Sequence, residues 1–361
     1  MYKAIMHLIL VLLLIPALPS GLFAATLTDL AGRKVTVPDS IERAVALKGA
    51  LSILCYLDAV TSIVGVENEE LPSTHWIGSK GRTYSMAYPH LGRLPAVGSR
   101  NKPNPEKIIS LKPQVIFIGA SSNAAEQLQR QTGIPVVVLE TGDLGAGKER
   151  FYRSLSLAAE VMGRKERAGQ LITRIEKEFK ELKARTSQLP SAARKDIYVG
   201  GLQFKVGHGL LGTSRDYPPF QAVNASNVAD RLTVNQTLVK GRFSIDTETL
   251  LTLAPEIIFI SESGKDAALK DLQTPLFRNL PAVRTGQIYG LLPHYYSADP
   301  ATVLAEAWYV GKVLYPDHFR EIEIAKKADE LYRFFNGRPL YAELEKLFGG
   351  FKPLVDSQWK R

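Results

Sequence analysis

The sequence predicts an α/β protein of two lobes, each built on a mainly parallel sheet, joined by a single long rigid helix. Three observations lead there. The phrase NPEKIISLKPQVIFI (Asn104–Ile118) recurs as DTETLLTLAPEIIFI (Asp246–Ile260), with Glu, Leu, Pro and Ile-Phe-Ile at matching positions. Short apolar runs alternate with helical patterns on both sides of the middle, as buried parallel strands covered by helices do. Between the halves lies a long Pro-free stretch rich in Glu, Lys, Arg, Ala and Leu.

A chain of 361 residues holds two domains with cores of their own. Hydrophobic content of 45% and charged content of 22% exclude a disordered chain. The formal charge of +9 suits an anionic partner: nucleic acid, an anionic membrane or a small anionic ligand. No dense Lys/Arg run with interleaved aromatics is present, which argues against nucleic acid.

Residues 1–25 carry an early Lys, an apolar stretch from Ile5 to Ala17, then Pro, Ser, Gly and Ala. This is the layout of a secretory signal peptide, cleaved near Ala24 or Ala25, and it predicts a periplasmic protein. Leu22 or Phe23 stands where a small residue is preferred, so an uncleaved membrane anchor is the alternative. No later segment reaches the ~18 apolar residues of a membrane span. Cys55, the only cysteine, sits in the apolar run LSILCYLDAV and is expected as a buried small hydrophobe. One thiol makes neither an internal disulfide nor a cysteine-based metal site.

The N-terminal lobe is expected over 26–147. TLTDLAGRKVTVPD alternates around an Ala-Gly turn and predicts a hairpin. AVALK, SIVGV, VIFIG and VVVLE have the length of buried strands. The linker helix is expected over 148–190: Leu171, Ile175, Phe179 and Leu182 recur every three or four residues, Glu176–Lys180 is a favourable pair, and Gly163 is a point where the helix can break. The C-terminal lobe, 191–361, resumes with strands in DIYVGGL, EIIFIS and QIYGLL, helices in DTETLLTLA and DPATVLAEAWYVGKVL, and a helical tail that pads the second lobe.

Each copy of the repeated phrase parses as a cap, a short helix, a Pro-marked turn and a buried strand. Asn104 and Asp246 suit the N-cap, and Glu106 and Glu248 both fall at the second helical position. A carboxylate there offsets the helix dipole by about 0.3–1 kcal/mol. That explains one glutamate without explaining its return in the other lobe.

These phrases resemble the substrate-binding proteins of ABC importers for iron–siderophore complexes, haem and cobalamin. The likeness rests on TDLAGRKVTVPDSIERAVAL, the N-lobe NPEKIISLKPQVIFI, the C-lobe FSIDTETLLTLAPEIIFI and the late LFRNLPAVRTGQIYGL, in order around a central helix, over roughly residues 28–315. It implies Rossmann-like lobes with ligand in the cleft between them, and a monomer that docks through both lobes on the membrane permease. Glu106 and Glu248 match the family's docking glutamates, which would meet one arginine on each permease subunit. The chain departs from the pattern in its first helix, where Leu51-Ser52 replaces a frequent Thr-Glu pair. The resemblance implies no intrinsic cofactor; the ligand would be an iron-containing chelate.

In open α/β sheets ligands gather beyond the carboxyl ends of the strands. That rule selects Lys48, Arg100 and Ser121 in the first lobe, and Arg215, Tyr217, Arg242, His294, Tyr295 and Tyr296 in the second. Arginines offer forks for carboxylate, hydroxamate or catecholate oxygens, and tyrosines offer flat contact with a polar tip. His294 and His208 could ligate a metal, and Tyr295 or Tyr296 a haem iron, without a Cys or a close second His to support them. GHGLLG (207–212) fits G-x-G-x-x-G, but Pro218-Pro219 denies the sustained helix that dinucleotide binding needs. No P-loop, H-E-x-x-H or G-x-S-x-G appears.

The expectation is therefore a non-enzymatic binding protein that takes an iron–siderophore or related metal chelate to an ABC permease. Haem, cobalamin or an oxyanion such as molybdate is the alternative within that role. A periplasmic α/β enzyme using the cleft is the alternative outside it. Trp76 and Trp308 are the fluorescence reporters should either lie near the cleft.

Overall fold

The computed structural model describes residues 24–73, 81–190, 194–204, 207–233, 241–293 and 299–354. The leader expected over 1–25 lies almost wholly outside them, as do Trp76, His294, Tyr295 and Tyr296.

The N-terminal half opens with the expected hairpin, β1 (Ala24–Thr28) against β2 (Lys34–Pro38). There follow β3 (Ala44–Leu47), α1 (Ala50–Tyr56), β4 (Ile63–Gly65), α2 (Thr83–Ala87), the ribbon β5 (Gly98–Ser99) and β6 (Lys102–Pro103), α3 (Pro105–Ser110), β7 (Val115–Ile118), α4 (Ser122–Thr132) and β8 (Val136–Val138). Four strands form a parallel sheet in the order β4-β3-β7-β8. Two helices lead out, α5 (Lys148–Val161) and α6 (Lys165–Thr186), with Gly163 between them at φ +65°. The linker is thus a broken pair, of which α6 alone runs roughly 33 Å.

The C-terminal half holds β9 (Asp196–Gly200), β10 (Gly212–Ser214), α7 (Pro218–Ala222), β11 (Ser226–Asn227), β12 (Arg242–Ser244), α8 (Thr247–Leu253), β13 (Ile257–Ile260), α9 (Lys265–Gln273), α10 (Pro281–Thr285), β14 (Ile288–Gly290), α11 (Pro300–Leu314), α12 (Ile324–Asn336), α13 (Tyr341–Phe348) and β15 (Lys352–Pro353). Its sheet runs β11-β9-β13-β14-β15, parallel except for the last pair.

Strand alternation divides the core. In β7, Val115 and Phe117 face one side while Ile116 and Ile118 face the other; in β13, Ile257 and Phe259 face one side and Ile258 and Ile260 the other. The outer faces make separate clusters, one per half. The inner faces join one continuous cluster with α1, α5, α6, α11 and α12. The two phenylalanines of the repeated Ile-Phe-Ile therefore point into the same shared core.

That shared core is braced by buried charge. Glu178 of α6 accepts from Trp308 Nε1 at 2.6 Å, Arg174 Nε at 2.8 Å and Lys327 Nζ at 3.1 Å. Trp308 is accordingly an interior residue. Glu176, expected to pair with Lys180, instead accepts from Lys148 Nζ and the Tyr152 hydroxyl, each at 2.8 Å. The tail does more than pad the second lobe. Arg167 of α6 donates to Tyr56 O of α1 at 3.0 Å and to Phe334 O of α12 at 2.6 Å, and Arg338 donates to Met86 O at 3.2 Å. It therefore holds on to both halves.

Candidate ligand cleft

The loop beyond β8 in the N-terminal half meets the loop beyond β10 in the C-terminal half. The Gly145 backbone, beyond β8, lies against the Asp216 carbonyl and Pro218, and a Cβ at Gly145 would come within 3.0 Å of the proline ring. On that flank a cavity of about 850 Å³ opens between α6 and α7, bordered by Lys148, Lys177, Lys180 and Lys183.

On the N-terminal side, β3 is followed by Lys48, which adopts φ +53°. Its carbonyl closes on Gly119, where a Cβ would sit 2.5 Å from that oxygen; only glycine lets the two strand ends approach so closely. The Lys48 amide donates to Glu67 Oε1 at 2.9 Å. Gly98 plays a similar part, for at φ +103° its missing Cβ leaves room for the Asn104 amide and the Lys102 carbonyl, and the ribbon β5–β6 can turn into α3. At that turn the Arg100 amide donates to both oxygens of Glu69, at 2.9 and 3.1 Å. Glu70 pairs with Arg82 at 2.6 Å and accepts from the Tyr84 hydroxyl at 3.0 Å. A second cavity, about 370 Å³, is lined by Lys48, Lys102, Pro105 and α4. Lys48 and Arg100 thus lie on one edge, half-buried, and Ser121 is exposed at the start of α4 on the same edge.

On the C-terminal side, Arg242 opens β12 next to β10, with Nη1 donating to Gln203 O at 3.1 Å, and Arg215 follows β10 with its amide bonded to Gly241 O. Tyr217 departs from the expectation of a cleft contact. Its ring is 2% exposed, edge-on to Phe220, and its hydroxyl donates to Glu306 Oε2 at 2.8 Å. The tyrosine is thus a buried partner of Glu306 and not an exposed contact. Glu306 is wholly buried, and burial pushes its carboxyl up to about 8, against the pull of the Tyr217 hydrogen bond and the Arg242 charge. His208 stacks on Phe204 at 4.2 Å. The third glycine of GHGLLG opens β10, a strand, which is not the geometry of a dinucleotide loop.

Glu106 and Glu248 are both exposed in the first turn of α3 and α8. Asn104 caps the first helix by accepting from the Lys107 amide at 3.0 Å, and Asp246 caps the second by accepting from the Thr249 amide at 2.7 Å. Among the described residues no group of three or more His, Cys, Asp or Glu could hold a metal ion. Motif reasoning missed Glu67, Glu69, Glu178 and Glu306. A glutamate inside an otherwise apolar helical face, as Glu306 is in VLAEAWYVG, was the available signal for the last.

The sequence model described as periplasmic binding protein matches residues 50–295. The molybdate-binding protein MolA of Haemophilus influenzae is 28% identical over 342 residues, spanning 88% of this chain and 92% of that one. The Fe(3+)-citrate-binding protein YfmC of Bacillus subtilis is 25% identical over 263 residues, 71% of this chain and 75% of the relative. The solved structure of MolA bound to molybdate matches the fold with a TM-score of 0.68 at 25% identity, covering 87% of this chain and 98% of that one. A periplasmic solute binding protein of Veillonella parvula matches with the same TM-score at 19% identity, covering 91% and 97%.

Proposed function

This chain belongs to the periplasmic binding protein family, and we propose that it captures a compact multivalent anion between its two halves and hands it to the permease of an ABC importer. What supports the anion reading is that the cationic side chains Lys48, Arg100 and Arg215 follow strands of the two halves and Arg242 stands, buried, at the start of β12, in a protein of net charge +9. Guanidinium and ammonium groups recognise oxygen-rich anions by charge-assisted hydrogen bonds. A molybdate-class oxyanion is the first choice, supported by the likeness to MolA along most of both chains. Ferric chelates, which the sequence motifs put first, are the second reading. YfmC and the Fe(3+) dicitrate-binding protein FecB of Escherichia coli favour it, and an iron–siderophore complex belongs to the same class. The N-terminal segment is read as the export signal that brings the chain to the periplasm.

Calorimetric titration of the purified protein with sodium molybdate and with ferric citrate tests the proposal. Expected is one saturable site for one of them, with a Kd near or below about 1 μM, which corresponds to about −8 kcal/mol. Molybdate binding without ferric citrate binding selects the first reading and the converse selects the second. A protein that binds neither overturns both.

A further inference from the structure

Just beyond β4 the chain writes Glu67-Asn68-Glu69-Glu70, an acidic run on the edge where the cations gather. Acid is out of place there if the edge only attracts anions. Each carboxylate, however, has a defined task. Glu67, 3% exposed, accepts the Lys48 amide; Glu69 accepts the Arg100 amide with both oxygens; Glu70 is matched by Arg82.

We propose that Glu67 and Glu69 are positioning residues of the cleft, which fix the main chain of Lys48 and Arg100, and that the charge carried by Glu67 sets how strongly this wall attracts an anion. The inference rests on the anion reading of the cargo. The geometry supplies the positioning: Lys48 is held in a left-handed conformation that a lysine adopts only where its surroundings impose it. The electrostatics supply the tuning. Burial holds the Glu67 carboxyl up at about 7, with the Lys48 amide and the Arg100 charge pulling it down and Glu70 and Glu69 pushing it up. Among the described residues, Lys48 after β3 offers Glu67 its amide, the turn after β5 offers Arg100, and its own segment offers Glu69 and Glu70, the latter paired with Arg82. Near neutrality Glu67 therefore exchanges a proton. An anion arriving beside Arg100 favours the neutral carboxyl, so capture takes up a proton, and affinity falls as pH rises through about 7.

Two experiments on the full-length protein test this. In the first, molybdate and ferric citrate are titrated calorimetrically at several pH values in buffers of different ionisation enthalpy. The parent protein is expected to take up a fraction of a proton per anion near neutrality, and Glu67→Gln none. Gln keeps the acceptor for the Lys48 amide, so E67Q is expected to bind about 3- to 10-fold tighter than the parent above neutrality. Glu67→Ala and Glu69→Ala lose the acceptor and are expected to bind about 10-fold weaker at every pH, whereas Glu69→Gln retains binding. In the second, the Glu67 carboxyl is titrated by carbon NMR without any cargo. Titration near neutrality that moves upward in Arg100→Gln supports the coupling. Titration in the ordinary carboxylate range, or E67Q affinities equal to the parent's at every pH, overturns it. A parent protein that binds neither probe fails the cargo reading alone, and the NMR titration still decides the coupling.

Discussion

Thr83 Oγ1 donates to Asp299 Oδ2 at 2.7 Å, so the first turn of α2 in the N-terminal half is bonded to the N-cap of α11 in the C-terminal half. The pair is the centre of a buried polar cluster. Asp299 also accepts from the Thr302 amide at 3.2 Å and hydroxyl at 3.0 Å; Thr302 shares a hydrogen bond with the Tyr332 hydroxyl; and Asn336 donates to Thr83 at 3.2 Å. Elements from three parts of the chain, α2, α11 and α12, converge on two side chains. Such a cluster favours this arrangement of the halves, because drawing α2 away from α11 and α12 takes the Thr83 hydroxyl from both Asp299 and the Asn336 amide.

Thr83→Val keeps the shape at that junction and removes the hydroxyl. It leaves Asp299 one donor short and the Asn336 amide without its acceptor. The expected loss of stability is about 1–3 kcal/mol, read from urea unfolding curves, while Thr83→Ser stays within about 0.5 kcal/mol of the parent. A valine variant as stable as the parent would show that the cluster does not tie the halves together.

Glu306 predicts the pH dependence of stability. Burial raises its carboxyl from the ordinary 4.5 to about 8 in the folded protein. The folded state therefore binds more protons than the unfolded one between those values, and the resulting stabilisation is complete below the unfolded value and is lost as pH rises through the folded one. Asp299 is raised by burial as well and acts with the same sign. Unfolding free energy is expected to fall from about pH 5 to about pH 9, Glu306 contributing at most about 1.4 kcal/mol per pH unit. Glu306→Gln should flatten that slope, because a neutral amide keeps the Tyr217 contact and does not titrate. An unchanged slope in the variant sinks the assignment.

Much of the architecture was legible in the sequence, for reasons particular to its residues. β7 and β13 announce themselves because Val115–Ile118 and Ile257–Ile260 are buried on both faces, and runs so uniformly apolar are hard to place elsewhere. The caps Asn104 and Asp246 were legible because capping is a local interaction between residues three apart. Glu178 and Glu306 were not, since a glutamate on a helix reads as solvated until its partners are known, and Arg174 aside, those partners lie far away in sequence. Tyr217 shows the same limit from the other side. The strand-edge rule selected it as a contact, but its packing on Phe220 and its bond to Glu306 bury it. The pairing of Glu176 with Lys148 rather than Lys180 follows from α5 folding back beside α6, which a helix considered alone does not contain.

The family resemblance implies that Glu106 and Glu248 dock on the permease, and we propose that role for them as the last prediction. Glu106 and Glu248 stand at equivalent places in two copies of one unit, both exposed and both one residue past the start of a capped helix. Dipole compensation alone would give each a small local effect, about 0.3–1 kcal/mol, and no reason for the other. A permease with two like subunits gives that reason, because a two-fold partner meets the same acidic contact on each half. Reversing both charges, Glu106→Lys with Glu248→Lys, should leave folding nearly intact and the Kd for cargo unchanged, since neither carboxylate belongs to the set proposed to contact the ligand. Uptake of the cargo by cells carrying the cognate importer should fall at least about 10-fold, and each single reversal should fall between. Rim charges act mainly on the encounter rate, so raising the ionic strength of the assay should narrow the gap between parent and single variants. Undiminished uptake by the double variant, with cargo still bound in solution, would reduce both glutamates to helix-capping chemistry.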